Sequence, residues 1–131
     1  MISNTMTSII VKTKFEGVHK YAQAPEPVKY LREAHRHLFG VEVQMEVFHD
    51  DRELEFILVK HAIDSYIQSN IDEDTKVWMM DTLSCEQVGK DLINFLVHTY
   101  GEREIAVTIM EDDENGARVY YYPTTMSDKF M

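Results

Sequence analysis

His35-Arg36-His37-Leu38-Phe39-Gly40-Val41-Glu42-Val43-Gln44-Met45-Glu46-Val47-Phe48-His49 alternates with period two. Its odd positions carry histidine and apolar residues, and its even positions include Arg36, Glu42, Gln44 and Glu46. In a strand, successive side chains point to opposite faces, so this pattern predicts a strand with one buried and one wet face, with its histidines on the apolar face. Upstream, residues 9–21 repeat the pattern: Ile9, Val11, Thr13, Phe15, Gly17, His19 and Tyr21 on one face, with Lys12, Lys14, Glu16 and Lys20 among the others. Between the two strands, residues 22–27 with two prolines read as a loop, and residues 28–34 as a helical turn.

Downstream of the polar turn Asp50-Asp51-Arg52, the spacing Phe56, Val59, Ile63, Tyr66/Ile67 is helical and ends near the polar residues 69–76. A second helix opens with Ser84 and Gln87 in a capping box. Leu83 and Val88 sit at hydrophobic-staple positions, and Val88, Leu92, Phe95, Leu96 and Thr99 form the stripe. Gly101 marks its end. Ile105, Val107, Ile109 and Glu111 share one face of a third strand, Asn115-Gly116 signals a hairpin, and Ala117, Val119 and Tyr121 continue as a fourth. The tail from Pro123 is expected to fray. The order β-β-α-α-β-β predicts an α+β fold, an antiparallel sheet with two helices on one face. A sheet with exposed edges is relieved by edge-to-edge assembly into a closed ring.

Composition bounds the function. The chain has 131 residues, 13 basic and 23 acidic side chains and a net charge of −10. One domain over residues 1–131, with its core at about 8–122, is expected. The acidic surplus argues against nucleic acid and anionic membranes as partners. The single cysteine makes no internal disulfide. The N-terminal residues lack a basic region followed by an apolar run, and no apolar stretch approaches the roughly 20 residues of a membrane span. A cytoplasmic protein is the expectation.

The candidate chemistry lies in the histidines. Residues two apart on a strand stand roughly 6.5 to 7 Å apart on one face, so His35 and His37 can converge on one ion at metal–nitrogen bonds of about 2.0–2.1 Å. If the first two strands pair antiparallel, His19 joins them. Three histidines leave a fourth zinc position open, as in catalytic sites. On spacing alone, histidines on an apolar face are more often hydrogen-bonded core residues than metal ligands. His49, His61 and His98 read as surface or helix-end residues.

Phe15-Glu16-Gly17-Val18-His19 followed by Ala34-His35-Arg36-His37-Leu38-Phe39-Gly40-Val41-Glu42-Val43 resembles the 6-pyruvoyltetrahydropterin synthase and 6-carboxytetrahydropterin synthase (queuosine-pathway) family, with its F-x-A-x-H and H-G-H segments. The likeness continues through Leu54-Glu55-Phe56, Ser84-Cys85-Glu86 and Val107-Thr108-Ile109-Met110-Glu111, over about residues 15–122. The resemblance implies the tunnelling fold and subunits joined into an oligomeric barrel, a hexamer of two trimers. It implies Zn2+ on His19, His35 and His37, and a pterin held by Glu111, whose carboxylate suits paired N–H donors. Glu86 is a second candidate for substrate binding, although an acid in the first turn of a helix is favourable in its own right.

The departures concern proton transfer. Leu31 stands where the family usually has a cysteine base, and Asp72-Glu73 stands where it has Asp-His. Cys85 lies elsewhere in the pattern and reads as structural. Glu33, Glu73 and the upstream Glu26 are candidates to replace the base, with Asp72 shuttling protons. The first reading is a zinc-dependent lyase cleaving carbon–oxygen or carbon–carbon bonds of 7,8-dihydroneopterin triphosphate or a related pterin, with Lys14, Lys20, Arg32 or Arg36 supplying a positive mouth for the phosphates. The second is a homologue that binds or sequesters a pterin, purine or nucleotide-like ligand without that chemistry. A third is a structural oligomer with unmetallated histidines.

Overall fold

A computed structural model describes residues 4–123; the expected fraying of the tail past Pro123 lies outside them. The strands β1 (Thr7–His19) and β2 (His35–Val47) pair antiparallel over their whole length, with Thr7 opposite Val47 and His19 opposite His35. Their inward residues Val11, Phe15, Phe39, Val41, Val43 and Met45 are buried, as the alternation dictates. Both strands stop two residues short of the expected ends at Tyr21 and His49. At the first of these, Tyr21 turns its N–H to the Leu31 carbonyl, 2.8 Å away, instead of continuing the ladder. The helical turn between them is a 3-10 turn over Glu26–Arg32, earlier than expected, because Pro25 sets the extended cap and Pro27 is accommodated in the first turn.

Helix α1 (Phe56–Gln68) is started by Glu55, whose carboxylate accepts from the Ile57 N–H at 2.8 Å. Val59, Ile63 and Ile67 form its buried stripe, but Phe56 is exposed, because it sits at the first position and projects off the helix end. Helix α2 (Cys85–Tyr100) carries the expected capping box between Ser84 and Gln87 and ends at Gly101 with φ 87°. Its buried face is Cys85, Val88, Gly89, Leu92, Ile93 and Leu96; Thr99 is exposed and turns its hydroxyl back to the Phe95 carbonyl.

Among the described residues the sheet has five strands rather than four. Between the helices, β3 (Trp78–Asp81) adds to the outer edge of β1 in parallel, giving the order β3-β1-β2-β4-β5 with β4 (Ile105–Glu111) and β5 (Asn115–Tyr121) antiparallel. The β4–β5 turn is centred on Asp112-Asp113, three residues before the Asn115-Gly116 signal. Asp112 and Asp113 take φ of 52° and 58°, and the Glu114 N–H reaches the Glu111 carbonyl at 2.9 Å, a tight turn of the type that suits hairpins. Gly116 is needed inside β5 instead, because a Cβ there would collide with the Ile109 carbonyl.

Helix α1 packs on β1, and α2 on β4 and β5, so both helices cover one face. The other face exposes Ile10, Leu38, Met79 and Tyr120. At the end of the sheet far from the histidines, buried Arg103 donates to Glu53 at 3.0 Å and to the Glu46 and Tyr100 carbonyls, with its guanidinium over the Phe48 ring.

A three-imidazole centre and its cavity

The β1–β2 register builds the site. His19 is the last residue of β1 and faces His35, the first of β2; His37 lies opposite Gly17, where a Cβ would collide with Met80 and with the Phe39 ring. The three ring centroids stand 4.7 to 5.4 Å apart. Beneath them Phe39 presents its ring to His19 at 5.3 Å and stacks on Phe15 at 5.1 Å, which gives the imidazoles an apolar floor.

Each imidazole is oriented by an oxygen acceptor on Nδ1. His19 donates to the Leu83 carbonyl at 2.8 Å, His35 to the Glu33 carbonyl at 2.8 Å, and His37 to the Asp112 carboxylate at 2.6 Å. A carbonyl cannot donate. Asp112 is ionised, because the His37 hydrogen bond and then the Leu38 N–H hold its pKa below the usual carboxylate range. The proton of each neutral ring is therefore on Nδ1, and the Nε2 lone pairs are left to converge. The ligand atoms of the three lie within 4.8 Å of one another, a spread that an ion with bonds of about 2.0–2.1 Å can gather. His37 Nε2 is buried without a hydrogen-bond partner among the described residues. Three oriented nitrogens, one of them orphaned, fit a metal ion, and the acceptors behind them are the outer-shell partners such centres use.

Glu111, at the end of β4 opposite Phe39, reaches the same place. Its Oε2 is 3.2 Å from His19 Nε2 and its Oε1 3.5 Å from His37 Nε2. Behind it lies the Cys85 thiol at 3.8 Å. Burial, followed by the charges of Glu111 and Glu86, pushes this thiol up to about 12, so it is a protonated donor rather than a nucleophile. His19 opens on a cavity of about 770 Å³ that is also lined by Lys20, Leu31, Cys85, Glu86 and Glu111 among others.

The other sequence candidates lie apart. Asp72 and Glu73 are in the loop before β3. Asp72 accepts from the Thr75 N–H and hydroxyl at 2.7 and 2.9 Å and from the Asp74 N–H, which keeps its pKa low and its carboxylate occupied. Glu73 is exposed beside it, and neither lines the cavity of its own chain. Glu33 meets the site through its backbone carbonyl. Of the basic candidates, Lys20 lines the cavity, Arg32 is held by Glu26 and the Ala24 carbonyl, and Arg36 pairs with Glu16 on the opposite face. Asp112 and the Leu83 carbonyl were missed by sequence reasoning. An acid directly after the strand that carries Glu111 was the available signal for the first, and a backbone carbonyl gives none. His49, His61 and His98 are exposed.

A five-stranded, mostly antiparallel sheet with two helices on one face and this strand order is the tunnelling fold. Solved structures with this fold include two that cover about nine-tenths of this chain. One is 6-pyruvoyl tetrahydropterin synthase from Plasmodium falciparum, with a TM-score of 0.65 and 14% identity over 91% of this chain and 99% of that one. The other is the uncharacterized protein WS1659 from Wolinella succinogenes, with a TM-score of 0.63 and 14% identity over 89% and 99%. No family model matches the sequence, and no curated protein matches it.

Proposed function

We propose that the chain is a zinc-dependent pterin synthase-like lyase acting on 7,8-dihydroneopterin triphosphate or a related pterin. The observation that carries this reading is the gathering of three imidazoles, each fixed through Nδ1, beside a cavity lined by His19 and Glu111. The fold it shares with a 6-pyruvoyl tetrahydropterin synthase adds weight. Zinc bound there supplies Lewis acidity toward oxygens on the substrate side chain.

The chain's own groups do the rest. Glu111 accepts the paired N–H donors of a pterin ring, and the Cys85 thiol donates to the carboxylate from behind. Lys20, whose ammonium is shared at 3.7 Å with Asp81, is the positive group for the phosphates. Proton transfer falls to Asp72, Glu73 or Glu33. For the first two, a second copy is required. The bridge from Ile71 to Trp78 lies on the outer side of β3, so Asp72 and Glu73 stand at an open sheet edge where a neighbouring copy would dock. Exposed Ile10, Leu38, Met79 and Tyr120 on the uncovered face support such a homo-oligomer.

One observation favours a second reading, in which the protein binds or sequesters a pterin, purine or nucleotide-like ligand unchanged: the cavity wall carries Leu31, which cannot take a proton, and a thiol held protonated. Zinc-loaded, assembled protein incubated with 7,8-dihydroneopterin triphosphate separates the two. Loss of substrate with release of phosphate or of a side-chain fragment supports the lyase. Ligand recovered intact in complex with the protein replaces it with the binding reading.

A further inference from the structure

The Glu111 carboxylate is placed to do more than hold a ligand. Both of its oxygens face imidazole nitrogens, at 3.2 Å from His19 Nε2 and 3.5 Å from His37 Nε2. In the neutral rings those nitrogens carry lone pairs, because Nδ1 donates to the Leu83 carbonyl and to Asp112. Acceptors facing acceptors at this range repel unless a cation sits between them. The separations are close to the roughly 3.4 Å between neighbouring ligand atoms of a four-coordinate ion with bonds of about 2.0–2.1 Å. His35, opposite His19 in the strand pair, completes the set on the same face.

We infer that Glu111 is a displaceable fourth ligand: in the free protein its carboxylate closes the three-histidine centre, and it swings away when a ligand offering paired N–H donors engages it. The inference rests on the metal-and-pterin reading given above and adds a coupling to it, since occupation of the cavity would then open the metal. The Cys85 thiol, donating to Glu111 at 3.8 Å, steadies the carboxylate from its far side.

Cobalt(II) as a spectroscopic substitute tests this without turnover. Apoprotein, Glu111→Gln and Glu111→Asp are titrated with cobalt against a competing chelator, and azide is then added while the visible bands are followed. The expected result is that both variants bind cobalt roughly tenfold more weakly or worse, and that azide shifts their spectra at concentrations that leave wild type unchanged. Asp keeps the charge but falls one methylene short, so it controls for mere electrostatics and for misfolding of the Gln variant. Neopterin added to wild type should make its spectrum azide-sensitive. Equal cobalt affinity and equal azide response in all three proteins would overturn the inference while leaving the histidine centre standing. Failure of all three to bind cobalt would remove the centre itself.

Discussion

Asp112→Asn is a perturbation whose outcome can be worked out atom by atom. Asp112 Oδ2 accepts from His37 Nδ1 at 2.6 Å and Oδ1 from the Leu38 N–H at 2.9 Å. Its φ of 52° is one asparagine tolerates as readily as aspartate, so the turn itself should survive. An amide, however, has one acceptor and one donor, and both of its neighbours donate. Whichever way it is flipped, an NH2 group meets an N–H. If it meets His37, the ring moves its proton to Nε2 and stops being a ligand; if it meets Leu38, the strand end is strained. Losing an outer-shell partner of this kind typically costs 10- to 100-fold in metal affinity, about 1.4 to 2.8 kcal/mol. Chelator competition with zinc measures it, with far-UV circular dichroism confirming the fold. A variant that folds and binds zinc within twofold of wild type would show that Asp112 does not orient His37 and would refute the tautomer argument.

Other consequences follow from the fold. Phe39 is fully buried beneath the imidazoles, so Phe39→Ala should cost about 3–5 kcal/mol in urea unfolding, and a loss below about 1.5 kcal/mol would mean the aromatic floor is not a packed core. Ser84→Ala removes the α2 cap and should cost about 1 kcal/mol in the same assay, with no effect expected if the box is unformed in solution. Glu53 is held below the usual glutamate range, first by its hydrogen bond from Arg103 and then by the Phe48 N–H. A depressed folded pKa gives stability that is present above the unfolded value, about 4.3, and is lost as pH falls through the folded one. Glu53→Gln should therefore flatten the decline in melting temperature below about pH 4.3, and an unchanged acid limb would contradict the pairing.

The parts of the fold readable in the sequence are those with local signatures. Period-two alternation gave β1 and β2 and put His19, His35 and His37 on one face; Ser84 and Gln87 announced α2. Strand β3 has no such signature, because Trp78-Met79-Met80-Asp81 is four residues long and exists through parallel pairing with β1, a long-range choice. The hairpin was displaced because Asn-Gly is a strong generic signal, whereas Asp112 and Asp113 adopt positive φ where Asp112 also serves His37 and Leu38. At the site, strand parity revealed the three imidazoles but could not reveal what fixes them. Two of the three Nδ1 partners are backbone carbonyls, and the meeting of Cys85 with Glu111 depends on how α2 packs over β4.

Zinc-edge X-ray absorption on reconstituted wild-type protein, read together with metal content per chain, goes straight to the claim that His19, His35 and His37 form one metal centre. The account predicts about one zinc per chain, with three imidazoles and an oxygen donor around it, and loss of that signature in His37→Ala. A metal content far below one per chain, or a bound zinc with fewer than three imidazoles that survives His37→Ala unchanged, would contradict it.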